Sequence, residues 1–264
     1  MNPLPQPRIA TLGEVRLEYI RSGTGSPTLV LINGSGGPLE GWHKVFGDLE
    51  ALGTVFAYNR RGIGKSTKPK TPQTGEVMVD TLRALLRAAE LAPPYLLVAH
   101  SLGGLIANLY ARTYPQEVTG MVLLEATAPE DIAVMASLES PVQRFLKGAV
   151  DGVFGKDTFG DTAHVQRTVE LIAEAPPFPE IPVVVVTGGK PAMAWLTPAP
   201  ALAARAAHQR QLASLSPRGK QVIAASSGHF PQFSEPEVVI RAVRDAIEGL
   251  GPHYRDTAER LGED

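Results

Sequence analysis

Two rhythms of apolar residues alternate along the chain. The first is a series of short unbroken runs with β-branched members: "TLVLI" (28–32), "TVFAYN" (54–59), "YLLVAH" (95–100), "MVLLEA" (121–126), "IPVVVVTG" (181–188) and "KQVIAAS" (220–226). Strands buried on both faces of a parallel sheet have this appearance. The second rhythm is helical: Met78, Leu82, Leu85, Leu86 and Ala89 share one face, as do Val239, Ala242, Val243, Ala246 and Leu250. Before the last helix, "SEPE" offers Ser234 as a cap with Glu237 three residues on. "RIATLGEVRLEYI" reads as two strands around a tight Gly13-Glu14 turn. Strand–helix alternation implies right-handed βαβ units, and the hairpin-like start makes the sheet mixed.

One stretch breaks the alternation. Between Pro129 and Pro179 helix-like pieces and a glycine-rich piece occur without a clear buried strand. It reads as an excursion over the carboxyl ends of the strands. The expected organisation is therefore a core formed by residues 1–128 and 180–264, with 129–179 inserted as a small, mainly helical cap.

Composition narrows the classes. Of 264 residues, 44% are apolar and 20% charged, values of a globular chain rather than a disordered one. The net charge of −2, with no basic block, argues against a nucleic-acid surface. The absence of cysteine removes disulfides and thiolate chemistry. "MNPLPQPRIA" has no basic region leading into an apolar stretch, so no signal peptide is expected. No apolar run approaches the roughly 20 residues that span a bilayer. A cytoplasmic location with no membrane partner is the expectation; a homodimer is left open.

The chemistry gathers at "LLVAHSLGGLIANLY" (96–110). Ligands of parallel sheets bind beyond the carboxyl ends of the strands, and Ser101 sits at such an end. Its neighbours two positions away, Ala99 and Gly103, are small, as a sharp strand-to-helix turn requires. That turn holds the serine in a strained conformation at a helix N-terminus, where free N–H groups and the positive dipole end face the same spot. A serine hydroxyl needs a base, and imidazole, with an unperturbed pKa of about 6.5, suits the task. Among six histidines, His229 lies in a glycine-flanked turn after the last strand, again at the carboxyl edge, and is the expected base. His100 adjoins the serine but points to the opposite face, which suits packing or support of the turn. His43, His164, His208 and His253 read as helix-surface or tail residues.

"VAHSLGG" resembles the nucleophile elbow of the α/β-hydrolase fold family. Three other stretches resemble that family in the right order: "LVLINGSGGP", "YNRRGIGKS" and "SSGHFPQFSEPEVV". Asn33 and Asn59 stand where that family commonly has histidine and aspartate. The resemblance implies an α/β-hydrolase fold, a mostly parallel central sheet with helices on both faces, and a Ser–His–acid triad needing no metal and no cofactor. Most members carry the acid after the strand that here reads "IPVVVVTG", yet no Asp or Glu occurs from Ile181 to Gly228. Some branches place it one strand earlier. Glu125, ending "MVLLEA", is then the expected acid, with Glu130 and Asp131 in reserve. A glutamate ending a buried run is costly unless paired, as a triad would pair it.

The oxyanion that builds during acyl transfer needs preorganised donors. One is expected from the Leu102 N–H. By family position the other comes from Ser35, within a loop whose glycines let it approach substrate. Gly34, Gly36, His100 and Trp195 are expected to contact substrate, and Phe145, Phe154, Phe159, Phe178 and Met193 are available to line a pocket. "NGSGG" lacks both the P-loop ending and the dinucleotide spacing. The expected function is a serine hydrolase of small carboxylic esters, lactones or activated amides, acting through an acyl-enzyme. A carbon–carbon bond hydrolase, a cofactor-free perhydrolase and a non-catalytic ligand binder are the alternatives. A haloalkane dehalogenase is disfavoured, since it needs an aspartate in place of Ser101.

Overall fold

A computed structural model of the protein describes residues 3–138, 159–190 and 199–250. Eight strands form one sheet in the order β1-β2-β4-β3-β5-β6-β7-β8. They are β1 (Arg8–Leu12), β2 (Val15–Ser22), β3 (Thr28–Ile32), β4 (Thr54–Tyr58), β5 (Tyr95–His100), β6 (Val118–Leu124), β7 (Val183–Gly188) and β8 (Gly219–Ala224). β2 runs antiparallel to both β1 and β4; β4, β3, β5, β6, β7 and β8 pair in parallel. The sheet is thus mixed at one edge, as the hairpin-like start implied.

The unbroken apolar runs divide by parity between two cores. Val30, Ile32, Leu97 and Ala99 face one side, where α2 (Gly75–Ala88) and α3 (Gly103–Thr113) cover them with Leu82, Leu86, Leu105 and Ile106. Leu29, Leu31, Leu96 and Val98 face the other, against Trp42, Phe46 and Val243. Phe46 lies in α1 (Phe46–Glu50), whereas Val243 belongs to the final described helix. Burial on both faces explains why these strands show no polar alternation. α2 begins at Thr74, whose hydroxyl accepts from the Val77 N–H at 3.4 Å.

Between β6 and β7 the chain forms α4 (Pro129–Leu138) and α5 (Val165–Glu174), with no strand among the described residues of this stretch. α5 packs on α2 and α3, and Thr168 Oγ1 accepts from the Gly75 N–H at 2.9 Å. After β7 comes α6 (Ala199–Ala213). The last helical stretch departs from expectation. Ser234 does not cap the final helix; it ends a short α7 (Pro231–Ser234), and its one hydroxyl proton is shared between Ser227 Oγ at 2.7 Å and the Phe230 carbonyl at 3.0 Å. The final helix, α8 (Pro236–Glu248), starts one residue later than a Ser234 cap would put it, with Glu235 at the cap position, because Pro236 fits a first helical position. Glu235 instead accepts from the Ser226 N–H and Ser227 Oγ, both at 2.8 Å, tying the β8–α7 turn to the helix start.

Candidate active site

β5 ends at His100, and the chain turns at Ser101 with a φ of 52° before α3 begins. A left-handed conformation is unfavourable for a residue with a side chain, by about 1–3 kcal/mol, and persists only when its surroundings impose it. Here they do. The Ser101 N–H donates to the Leu124 carbonyl at 3.2 Å, while its own carbonyl accepts from Gly104 and Thr127, each at 2.9 Å. Gly103 explains the need for small neighbours: a Cβ there would overlap the Ile32 carbonyl oxygen. Leu102 stands at the start of α3, where N–H groups lack intrahelical acceptors.

His229 Nε2 lies 3.0 Å from Ser101 Oγ, within proton-transfer reach. On the ring's other side, Nδ1 is 3.5 Å from Glu125 Oε2. Glu125 follows the end of β6 and also has a positive φ, 43°. Its backbone N–H donates to the Val186 carbonyl at 2.8 Å, and its Oε1 accepts from the Gly188 N–H at 2.7 Å. The end of β7, bare of carboxylates, therefore supplies a donor to a carboxylate on the neighbouring strand. Arg205 from α6 adds a charge, with Nη2 2.8 Å from Oε2. Burial works against the charged form of Glu125, but the hydrogen bond from His229 and the Arg205 charge prevail and hold its carboxyl below the usual range.

The reserve acids lie elsewhere. Asp131 is buried one step behind, paired with Arg205 Nη1 at 3.3 Å and His208 Nδ1 at 2.7 Å, and Glu130 is exposed. His208 is accordingly half-buried in an ion network rather than free on a helix surface. His43, exposed, lies tilted against Phe233 with ring centroids 5.6 Å apart, and His164 stands at the start of α5. His253 falls outside the described residues.

His100 braces His229. Its Nε2 donates to the His229 carbonyl at 2.7 Å, and its ring lies 4.9 Å from the His229 ring and 5.1 Å from that of Phe230. Burial pushes its pKa down to about 4, although the bond to the His229 carbonyl opposes this, so the ring stays neutral at pH 7.

The 33–37 loop closes on the serine from β3. A Cβ at Gly34 would come within 2.9 Å of Ser101 Cβ and 3.0 Å of His100 Nδ1. The two asparagines at positions commonly held by histidine and aspartate act as braces. Asn33 Nδ2 donates to the Pro38 carbonyl at 2.7 Å; Asn59 Oδ1 accepts from Leu39 N–H at 2.7 Å while its Nδ2 donates to Glu18 Oε2 at 2.8 Å. Arg60, which sequence reasoning did not single out, is buried and donates to the carbonyls of Asn33 and Gly34 at 2.6 and 2.5 Å. The same guanidinium pairs with Asp161, from the stretch between β6 and β7, at 2.6 Å. Asp161 also accepts from Ser35 Oγ at 3.2 Å and from the Gly36 N–H at 3.4 Å. Arg60 lies in the "YNRRG" segment, so it was within reach of sequence reading; Asp161, 101 residues away, carried no local signal.

A cavity of about 290 Å³ opens beside Ser101, lined by Gly34, Ser35, His100, His229, Phe230 and Phe233 among others. Gly36 is not among its lining residues; its N–H faces Asp161 instead. Phe178 packs beside the core under the Arg112 guanidinium, and Phe159 is exposed, so neither lines this cavity. Phe145, Phe154, Met193 and Trp195 lie outside the described residues. Among the described residues no group of three or more His, Cys, Asp or Glu is arranged to hold a metal ion, and no helix is long and apolar enough to cross a membrane.

Comparison with known proteins gives a consistent picture. A family model described as "alpha/beta hydrolase fold" matches residues 27–166. The uncharacterized protein YqjL of Bacillus subtilis is 38% identical over 105 residues, covering 40% of this chain and 42% of that protein. The 1-acylglycerol-3-phosphate O-acyltransferase ABHD5 of Rattus norvegicus is 29% identical over 138 residues, 50% of this chain and 38% of that protein. The chain thus spans less than half the length of these curated relatives. Among solved structures, a thermophilic esterase from Thermogutta terrifontis superposes with a TM-score of 0.64 at 22% identity, covering 93% of this chain and 99% of that one. With the family model matching more than half of its length and its sheet built in this order, the chain belongs to the α/β hydrolase fold family.

Proposed function

We propose that the protein is a serine hydrolase of small carboxylic esters, with lactones and activated amides within the same chemistry. The observation that carries this reading is the line of contact from Ser101 Oγ to His229 Nε2, at 3.0 Å, and from His229 Nδ1 to Glu125. His229 takes the hydroxyl proton as Ser101 attacks the carbonyl carbon; Glu125 fixes the tautomer and stabilises the imidazolium. The same proton then goes to the leaving alcohol, and water attacks the acyl-enzyme with His229 again as base. The negative oxygen is received by the N–H groups of Leu102 and Ser35, at the start of α3 and in the 33–37 loop. The stretch at 129–179 serves as a cap over the strand ends, reaching the oxyanion loop through Asp161.

Strain supports this reading. Among the described residues three non-glycines have positive φ, and two of them, Ser101 and Glu125, sit here. Such conformations cluster where function requires them. The test is hydrolysis of p-nitrophenyl butyrate by the protein and by Ser101→Ala, with labelling by a fluorophosphonate. The expected result is turnover and labelling that both vanish in the variant. Equal rates for the two proteins, or a native protein that neither turns over nor labels, would overturn the proposal. A vinylogous diketone and a peroxide assay run alongside report carbon–carbon cleavage and perhydrolysis.

A further inference from the structure

The carboxylate that faces His229 is already claimed by an arginine. Glu125 Oε2 accepts from Arg205 Nη2 at 2.8 Å and Nε at 3.3 Å, both closer than His229 Nδ1 at 3.5 Å. Its other oxygen, Oε1, is taken by the Gly188 N–H at 2.7 Å. The two side chains of the ion pair are 8% and 32% exposed, so water screens them only in part. A carboxylate neutralised by a guanidinium offers an imidazolium no net countercharge, and supplying that charge is the task of a triad acid.

A second anion stands behind the arginine. Asp131, in α4, is 7% exposed; its Oδ2 lies 3.3 Å from Arg205 Nη1 and accepts from the Ala128 N–H at 2.8 Å. Its Oδ1 meets His208 Nδ1 at 2.7 Å. A carboxylate can only accept, so that nitrogen carries the proton, and a neutral ring suffices for the bond. The other titratable groups around the base are His100 in β5, its ring 4.9 Å from that of His229, and Lys190 after β7, exposed to solvent. With the rings of His100 and His208 neutral, Glu125, Asp131 and Arg205 sum to one negative charge, which the His229 imidazolium brings to zero. We infer that Asp131 is a positioning residue for the reaction: it balances Arg205 and so returns to Glu125 the negative charge that the imidazolium needs. This rests on the hydrolase reading above. Removing the charge of Asp131 leaves a neutral pair before the ring; removing that of Arg205 leaves two anions. The two substitutions therefore act in opposite directions, which loss of packing alone would not do.

The experiment is the pH profile of kcat/KM for p-nitrophenyl butyrate in wild type, Asp131→Asn, Arg205→Met and the double variant, since this profile reports the base of the free enzyme. In Asp131→Asn the acid limb should move to lower pH by about one unit, and the plateau should fall about tenfold, the equivalent of that unit. In Arg205→Met the limb should move to higher pH, because an uncompensated anion favours the charged ring. The double variant restores the net charge. Its limb should return to the wild-type position and its plateau should exceed that of Asp131→Asn. A double variant slower than Asp131→Asn, or limbs that move the same way in both single variants, overturns the assignment. Should Asp131→Asn not fold, the double variant is compared with Arg205→Met: a limb lower by about one unit supports the role of charge, and an unmoved limb overturns it. Wild-type turnover with either contrary result leaves the hydrolase reading standing; a wild type that cleaves no ester removes both.

Discussion

Arg205 grips Glu125 at two points, its Nη2 lying 2.8 Å from the carboxylate Oε2 and 3.0 Å from the backbone carbonyl oxygen of the same residue. The guanidinium thereby fixes side chain and main chain together just where the backbone turns through a positive φ. Its Nη1 reaches Asp131 at 3.3 Å, so one cation serves two buried carboxylates. An acid placed after β6 rather than β7 is thus anchored from the side of β7, by the Gly188 N–H and by the helix that follows.

Replacing Arg205 by Met should strand Glu125 and Asp131 without their shared charge. With the arginine about one-third exposed, the loss is about 1–3 kcal/mol rather than the full cost of a broken buried pair. The sign with pH follows from the lowered pKa of Glu125. The contribution is complete above the unfolded carboxylate value of about 4.3 and is lost as pH falls through the lower folded value. Urea unfolding at pH 7 should separate wild type from Arg205→Met, and the gap should close in acid. A gap that stays constant into strong acid would contradict this electrostatic role.

His100 makes a second pH prediction. Its folded pKa of about 4 lies below the unfolded value of about 6.5, so between these the unfolded chain takes up a proton that the native protein refuses. Stability from this group is complete above pH 6.5 and falls by about 3 kcal/mol as pH drops to 4. His100→Gln should flatten that part of the stability curve relative to wild type. Parallel curves for the two proteins between pH 6.5 and 4 would remove the assignment.

The sequence was most legible where one residue's chemistry dictates its neighbours. Buried strands read directly as unbroken apolar runs, and Ser101, His229 and Glu125 each follow such a run, so topology alone brings them to one edge. The supports were less legible. Arg60, Asp161 and Arg205 join the site through contacts over 27, 101 and 80 residues, and no local pattern marks a long-range ion pair. Ser234 misled because a serine with Glu237 three residues on looks like a capping box, whereas Glu235 takes the cap position and its carboxylate is held by Ser226 and Ser227.

Gly34→Ala tests how tightly the 33–37 loop closes on Ser101. The added methyl would sit 2.9 Å from Ser101 Cβ and 3.0 Å from His100 Nδ1, and Ser101 Cβ belongs to a constrained turn that cannot easily yield. The loop should move back, carrying the Ser35 N–H with it. A fall of about a hundredfold in kcat towards p-nitrophenyl butyrate is expected, comparable to the loss of one oxyanion donor, with the far-ultraviolet circular dichroism unchanged. Undiminished kcat would place the donor elsewhere.

Asp161 joins the loop to the stretch that follows β6, and the direction of its effect can be worked out from its partners. It accepts from Ser35 Oγ and the Gly36 N–H while neutralising Arg60, which holds the carbonyls of Asn33 and Gly34 from below. Removing the carboxylate frees the upper side of the loop and leaves Arg60, only 6% exposed, without its counter-charge. The carbonyl bonds below persist, so the loop loosens rather than collapses. Asp161→Ala should therefore lower kcat by about tenfold, as the donor wanders from its ideal position, with KM little changed. Asp161→Asn, whose single amide oxygen can still accept from the Gly36 N–H while its NH2 donates to Ser35 Oγ, should recover part of the rate but not the thermal stability supplied by the ion pair. Stopped-flow acylation with p-nitrophenyl butyrate separates the outcomes: a variant altered in KM alone would make Asp161 a substrate contact rather than a support of the loop.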